Sequence, residues 1–189
     1  MEACETYQKQ SYRNRCRIYA ADGPQNLNVP VVHENGTSSL PIREIRVDYS
    51  TPWLMRMKRA VISAYETSAC FDYYRDELFA ILDGKPEKLF ELNLKLIEFF
   101  LKKTGIPAEI HFTEVFRKPG EAGFPGRDLR GVIHPKRPNG ILNEAKLEKP
   151  YFQVFSPKYG FISDLSIMDL LFNEGPESIS FLKNLSPRI

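Results

Sequence analysis

The stretch PEKLFELNLKLIEFFLKKTG (residues 86–105) carries the strongest fold signal in the chain. Its apolar residues form two stripes at helical spacing. The first stripe is Leu89, Leu92, Leu96, Phe99 and Phe100, and the second is Phe90, Leu94, Ile97 and Leu101. A proline opens the stretch, two lysines lie in the last turn, and Gly105 ends it. Because a helix that is apolar on two faces is usually buried, we predict that this helix lies inside the domain.

Four further helices are predicted from apolar periodicity and from capping residues. Their ranges are Trp53–Thr67, Asp72–Leu82, Ile167–Phe172 and Glu177–Leu185. The first follows an N-cap threonine and a first-turn proline. The third follows Ser166, which with Asp169 resembles a capping box.

Alternating apolar and polar residues predict five short strands. Their ranges are Arg13–Ala20, Leu27–Val32, Ile42–Val47, Glu109–Phe116 and Tyr151–Phe155. We therefore expect an α+β fold, with a mixed, mostly antiparallel sheet of about five strands and helices packed on it. The alternative is an α/β fold with a doubly wound parallel sheet, because the strands after Gly105 alternate with helices.

The composition is that of one globular domain, spanning residues 1–189. Hydrophobic residues make up 42% and charged residues 26%, which predicts a buried core. A net charge of +2 gives the surface as a whole no attraction for polyanions, so nucleic acid is an unlikely partner. There is neither a signal peptide nor an apolar run near the ~18 residues that span a membrane, so we expect a cytoplasmic protein.

A basic loop rich in glycine and proline is expected over residues 117–150, which hold five of the 11 glycines and five of the 14 prolines. Between Arg117 and Gly140 six basic residues face two acidic ones, a local charge of +4. Arg130 could bind a phosphate or carboxylate, and His134 is the most plausible general base in the chain. The alternative is an ordinary solvated loop.

The polar N-terminal segment is a second candidate. Its functional side chains are Glu2, Glu5, Tyr7, Lys9, Gln10, Tyr12, Arg13 and Arg15. Polar groups at alternate positions would share one face of an extended chain, where two carboxylates beside a lysine and an arginine could hold an amine or pair with one another. A solvated edge strand remains the alternative.

Motifs for metals and common cofactors are absent, so we predict neither. The three cysteines include no CxxC pair, and the three histidines show no HxH or HxxxH spacing. We interpret Cys70 as a core residue rather than a nucleophile. No phosphate-loop, dinucleotide-binding or serine-hydrolase motif occurs.

Several stretches, in the same order along the chain, resemble the WbqC-like protein family. The two longest are EACETYQKQSYRNR (residues 2–15) and LSIMDLLFNEGP (residues 165–176). Shorter matches are Ser63–Tyr65, Phe71–Tyr74, Asp128–Arg130, Tyr151–Phe155 and Gly160–Phe161. Members of this family occur in gene clusters for O-antigen and other surface polysaccharides, and a glycine transferase role has been proposed for them. The resemblance implies an accessory enzyme of polysaccharide assembly that decorates a sugar with an amino acid.

Two departures from the family accompany the resemblance. Family members usually begin with a further strand and helix, and we expect this chain to lack them. The positions where many members carry His and Trp, after the residue equivalent to Trp53, are Met57 and Lys58 here. This difference argues against a catalytic role for that helix.

The enzyme hypothesis is transfer of glycine or another acyl group to a nucleotide- or lipid-linked sugar. The assignments follow residue type and motif: Arg13, Arg15 and Arg130 clamp the phosphates, His134 is the base, Gln10 or Gln153 stabilises the oxyanion, Glu5 and Asp128 orient the base or bind an amine, and Lys9 and Tyr12 contact substrate. The alternative is a binding or scaffolding subunit that works with other polysaccharide-biosynthesis enzymes. The enzyme hypothesis requires Arg13, Arg130 and His134 to surround one concavity.

Overall fold

A computed structural model describes residues 1–33, 39–119, 128–144 and 149–183. Two antiparallel strands form a hairpin, β1 (Arg15–Ala20) and β2 (Gly23–Asn28), in which Arg15 lies opposite Asn28. The helices that follow in the described ranges are α1 (Trp53–Tyr65), α2 (Phe71–Asp83), α3 (Leu89–Thr104), α4 (Gly140–Glu144), α5 (Ser156–Tyr159), α6 (Ile167–Glu174) and α7 (Ser178–Leu182). Short 3₁₀ turns occupy Ile42–Glu44 and Gly175–Glu177.

The predicted five-stranded sheet is wrong, and so is the parallel alternative. The described residues contain one sheet, the two-stranded antiparallel hairpin, so the α+β class fits only loosely. The second predicted strand ends early, at Asn28, shortly before Pro30, which has no N–H to donate to a ladder. The predicted strand Ile42–Val47 instead forms a 3₁₀ turn followed by single bridges, including Val47 to Val31.

The two later predicted strands are also irregular. In Glu109–Phe116 the large apolar side chains are open to solvent, with Val115 61% exposed, so the alternation has no core to face. In Tyr151–Phe155 the backbone turns into α5 instead of extending. Alternation predicted strands here because it does not reveal whether a neighbouring strand exists to pair with.

The predicted central helix is confirmed as α3. Gly105 ends it in the left-handed conformation, with φ of 71°, and its N–H bonds the carbonyls of Leu101 and Lys102. One stripe of α3 is buried in two apolar clusters: Phe99 packs with α1, α2 and α6, whereas Leu89 and Leu92 pack with the N-terminal half of the chain. The other stripe is more open, and Ile97 is 37% exposed. The prediction of a wholly buried helix therefore holds for one face.

The remaining predicted helices correspond to α1, α2, α6 and α7, with shifted ends. The hydroxyl of Ser166 accepts a hydrogen bond from the Met168 N–H at the start of α6, as an N-cap should. The predicted loop 117–150 also contains the short helix α4. Residues 120–127 and 145–148 of that loop, and residues 184–185 of the last predicted helix, lie outside the described residues.

The N-terminal segment is held against the rest of the chain by backbone hydrogen bonds. Tyr7 N–H donates to the Leu40 carbonyl at 3.0 Å, and Ile42 N–H donates to the Glu5 carbonyl at 2.8 Å. The Asn93 amide on α3 donates to the Arg13 carbonyl at 2.7 Å. These bonds place the segment 5–15, with its two arginines, alongside α3.

Candidate functional site

Two ion-paired arginines lie at the N-terminal segment: Arg13 pairs within it, and Arg130 connects it to the loop 128–134. Arg13 binds Glu5 with two hydrogen bonds, Nε to Oε1 at 2.7 Å and Nη2 to Oε2 at 2.6 Å. Arg130 binds Asp128 at 2.7 Å and Glu2 at 3.2 Å. The Glu2 side chain is only 4% exposed, so it is the most deeply buried member of this network.

A concavity of about 330 Å³ lies over this network, and we call it the polar cavity. Its lining includes Glu2, Arg13, Thr113, Asp128, Leu129, Arg130 and Ile133. Arg13 and Arg130 therefore border one concavity, whereas His134, the third residue that the enzyme hypothesis places there, does not line it. With the adjacent Glu5, three carboxylates face two guanidinium groups, and the Met1 ammonium lines the same cavity.

The network favours the ionised forms of Asp128 and Glu2. The pKa of Asp128 is lowered, chiefly because the Arg130 guanidinium donates hydrogen bonds to it. Burial raises the pKa of Glu2, but hydrogen bonds from the Thr113 hydroxyl and from the backbone N–H of Cys4 outweigh burial and lower it overall. A carboxylate with a lowered pKa is a weak base, so Asp128 and Glu2 are suited to holding a cation rather than to removing a proton.

A larger space of about 480 Å³ adjoins the polar cavity, and we call it the apolar cavity. Met1, Arg13 and Ile133 line both spaces. Its walls are mainly aliphatic and aromatic, contributed by β1, β2, α1, α2, α3 and α6: Leu27, Val29, Met57, Val61, Leu78, Leu82, Leu96, Ile97, Phe100, Ile167 and Met168. Its volume lies within the ~300–1,000 Å³ typical of small-molecule sites.

The polar residues that line the apolar cavity are Tyr12, Arg13, Asn14, Arg15, Asn93 and Ser166. Asn14 Nδ2 donates to the Val29 carbonyl at 2.9 Å, which fixes the orientation of the amide. Its Oδ1 and the Arg15 Nε are both buried and have no hydrogen-bond partner in the described part of the chain. Buried polar atoms without partners are uncommon, because each costs about 1–3 kcal/mol, and they mark positions that a ligand can satisfy.

Cys16, on β1, also lines the apolar cavity. Burial raises the pKa of its thiol to about 11, and a hydrogen bond with Ser166 opposes that rise. The thiol therefore stays protonated near neutral pH, which disfavours a nucleophilic role. Burial likewise raises the pKa of the Cys70 thiol, with a smaller contribution from Glu174.

The other predicted site residues are spread over different environments. Lys9 and Gln10 lie in an exposed turn, where Gln10 has a φ of 57°. His134 is half-buried, one residue after Ile133, but does not line either cavity. Its Nδ1 accepts a hydrogen bond from the Lys136 N–H at 3.1 Å, so the neutral ring carries its proton on Nε2. To act as a base, His134 must first release Lys136.

Gln153 belongs to a separate polar cluster around Asp169. Its side chain is fully buried, bonded to both the N–H and the carbonyl of Ile162 at 2.9 Å. The Asp169 carboxylate on α6 accepts hydrogen bonds from Tyr65 at 2.9 Å, Tyr151 at 2.7 Å and Gln153 at 2.9 Å. This environment ties α1 and α6 to the segment before α5, and gives Gln153 no access to either cavity.

Our residue-by-residue prediction missed Asn14 and the role of Asp169. The signal for Asp169 was present in the sequence, since a carboxylate lies between Met168 and Leu170 on a helix that is otherwise apolar. We interpreted it as half of a capping box, but its backbone N–H makes the contact to Ser166 while its carboxylate points into the core. Asn14 gave no signal, because an asparagine before a strand is common in turns.

Among residues 1–33, 39–119, 128–144 and 149–183, no group of three or more His, Cys, Asp or Glu side chains could hold a metal ion. None of the helices in that part of the chain has the length and apolarity needed to cross a membrane.

The fold and the two adjoining cavities define a small, largely helical domain with one candidate ligand site. The chain belongs to the WbqC-like protein family, whose model matches residues 1–123. It is also 25% identical to the uncharacterized protein Rv1507c of Mycobacterium tuberculosis (strain ATCC 25618 / H37Rv), over 94% of this chain and 84% of that protein. No solved structure matches the chain.

The family match includes Arg13, Arg15 and α3, so it contains most of the apolar cavity. Arg130, His134 and Asp169 lie beyond it. Family membership supports a protein associated with polysaccharide gene clusters.

Proposed function

We propose that this protein transfers glycine or another acyl group to a sugar that carries a phosphate link to a nucleotide or a lipid, acting in the cytoplasm during surface-polysaccharide biosynthesis. The observation that carries the proposal is the pair of adjoining cavities with Arg13 on their shared wall. One cavity borders three carboxylates, and the other borders the Arg15 side chain. Such a site suits a substrate with a cationic amine at one end and an anionic phosphate at the other.

The amine end is assigned to the polar cavity. Glu2, Glu5 and Asp128 place three carboxylates at this cavity, and the Met1 ammonium already lines it, so the cavity suits a further ammonium group that displaces the chain's own. The ammonium of a glycyl group has that charge. The phosphate end is assigned to Arg15, because Arg13 and Arg130 are already paired with carboxylates.

The proposed reaction is acyl transfer. An amine or hydroxyl of the sugar attacks the carbonyl carbon of an activated glycyl ester, the new amide or ester bond forms, and the donor C–O bond breaks. The proton lost by the acceptor ends on the departing donor oxygen. We assign its transfer to His134, which follows a residue that lines both cavities and becomes a base once Lys136 is released.

A binding or scaffolding subunit is the second candidate, and the ion pairs favour it. Both arginines of the polar cavity are satisfied by the protein's own carboxylates, and Arg130 also donates to the Arg117 carbonyl at 2.8 Å. A purely structural role, the attachment of the loop 128–134 to the N-terminal segment, is sufficient to explain such a network. Under this proposal the protein would hold a sugar phosphate for other biosynthetic enzymes.

The two candidates differ in the effect of His134→Gln. With nucleotide- and lipid-linked amino sugars as acceptors and radiolabelled glycyl esters as donors, we expect glycyl transfer that falls about 100-fold in this variant. The matched control is His111→Gln, which changes an exposed histidine and should leave the rate unchanged. Thermal shift with the same acceptors reports binding independently. Stabilisation without transfer would favour the scaffolding function. The absence of both stabilisation and transfer would contradict both candidates.

A further inference from the structure

The apolar cavity combines features that a nucleotide would not use. Its depth runs from Ile97, which is 37% exposed, to Val61, which is 1% exposed. Aliphatic side chains dominate these walls, and the polar groups are those of residues 12–15, Asn93 and Ser166. A nucleoside needs hydrogen-bond partners for its base and ribose, and the aliphatic walls offer none. A hydrocarbon chain needs none.

Arg15 lies where the polar headgroup of a bound hydrocarbon chain would lie. No carboxylate in the described part of the chain forms an ion pair with its guanidinium, and its buried Nε has no hydrogen-bond acceptor there. A guanidinium whose Nε is buried without an acceptor favours an anion that accepts its N–H groups. Nearby, Asn14 Oδ1 is buried and lacks a donor. A phosphate with one ester-bound sugar or one hydroxyl offers both an anionic acceptor and a donor.

We propose that the apolar cavity binds the hydrocarbon chain of an alkyl or prenyl phosphate, with the phosphate on Arg15 and a hydroxyl of the headgroup on Asn14. This inference rests on the proposed function and deepens it, since it makes the sugar substrate lipid-linked rather than nucleotide-linked. The head of such a lipid lies at the wall shared with the polar cavity, next to Arg13. The sugar beyond the phosphate would then extend toward Glu2 and Asp128.

The test measures binding of short, soluble alkyl ligands by isothermal titration calorimetry. Hexyl, octyl and decyl phosphate are compared below their micellar concentrations, and affinity should rise about fourfold per added methylene until the cavity is full. Octyl glucoside has the same chain with a neutral head, and inorganic phosphate is the head without a chain. We expect octyl phosphate to bind at least tenfold more tightly than either.

Two variants test the assigned ends of the ligand. Arg15→Gln should weaken octyl phosphate at least tenfold and leave octyl glucoside unchanged. Arg59→Gln is the matched control, because it removes an exposed arginine of α1 that does not line the cavity. Ile97→Trp fills the open side of the cavity and should weaken both alkyl ligands. The chain-length series on the unaltered protein needs no variant to fold.

Affinity that does not depend on chain length overturns the inference. So does binding of UDP-N-acetylglucosamine as tightly as decyl phosphate, an outcome that makes the site a nucleotide-sugar site and leaves the proposed transfer standing. Chain-length dependence with no glycyl transfer to any acceptor has the opposite meaning: the lipid site stands and the transferase function fails. If octanoate binds as tightly as octyl phosphate, Arg15 accepts any anion, and the assignment to phosphate is overturned.

Discussion

Asp169 is a buried carboxylate whose two oxygens accept three hydrogen bonds. Tyr65 donates to Oδ1, and Tyr151 and Gln153 both donate to Oδ2. Burial raises the pKa of Asp169, and the three donors oppose that rise without cancelling it. Its ionised form is therefore less favourable in the folded protein than in the unfolded chain. The contribution of this carboxyl to stability therefore falls as the pH rises from the ordinary pKa of an aspartate to the raised pKa of Asp169.

We expect Asp169→Ala to lower the free energy of unfolding by about 3–5 kcal/mol, because two tyrosine hydroxyls and an amide lose their acceptor inside the core. Tyr151→Phe, which removes one donor and leaves the others bonded, should cost about 1 kcal/mol. Urea denaturation at pH 7 measures both. Equal losses for the two variants would show that the carboxylate is not the centre of the cluster.

Gly175 follows α6 in a conformation that side chains rarely adopt, with φ of 53°. A Cβ built there would lie 2.5 Å from the Cys70 sulfur, at the start of α2. We expect Gly175→Ala to destabilise the protein by about 2–5 kcal/mol through backbone strain and overpacking.

A thermal denaturation series separates the two causes. Combining Gly175→Ala with Cys70→Ala should recover the overpacking part and leave the strain. Gly140→Ala is the control, since that glycine has open space around it and no positive φ. A variant at Gly175 as stable as the one at Gly140 would contradict the prediction.

At the scale of the elements, the ion pairs join two segments more than a hundred residues apart. Arg130 connects the loop 128–134 to Glu2, and both carboxylates bound to it have lowered pKa values. A lowered pKa contributes stability that is present above about pH 4, where the unfolded chain's carboxyls ionise, and that is lost as pH falls through the folded values.

Arg130→Ala should therefore cost about 1–3 kcal/mol at pH 7, since it leaves Glu2 buried without its cation. The variant should also lose stability less steeply between pH 5 and 3 than the unaltered protein. Arg137→Ala, in the same loop but exposed, is the control and should change little. Melting temperatures across that pH range supply the measurement. A variant with unaltered melting at pH 7 would show that the pair is a ligand clamp rather than a structural tie.

The elements also show which sequence signals were informative. Helical spacing with a terminal glycine predicted α3, because that pattern reports a property of the helix alone. Alternation in Ile42–Val47 and Glu109–Phe116 predicted strands that do not form, because a strand requires a partner whose position lies elsewhere in the chain. For the same reason the sequence suggested Arg13 and Arg130 as a pair by residue type, and placed Gln153 with them although its amide is buried beside Asp169.

For the molecule as a whole, α3 is the helix that contributes to both apolar clusters and to the apolar cavity. Phe99 belongs to one apolar cluster, Leu89 and Leu92 belong to the other, and Leu96, Ile97 and Phe100 line the apolar cavity. A ligand in that cavity would contact the same helix that supports both clusters. Occupancy of the site and stability of the fold are therefore linked, and binding should raise the melting temperature of the entire domain.

The position of α6 has a practical meaning for anyone designing a shorter version of the protein. The family match ends at residue 123, yet Leu171 and Phe172 are completely buried against Tyr65 and Phe71. A fragment cut at residue 123 would leave those two aromatic rings facing water and remove the acceptor of the Tyr65 hydroxyl. The family match is thus shorter than the segment that forms this core, and we expect a fragment cut at its end to aggregate.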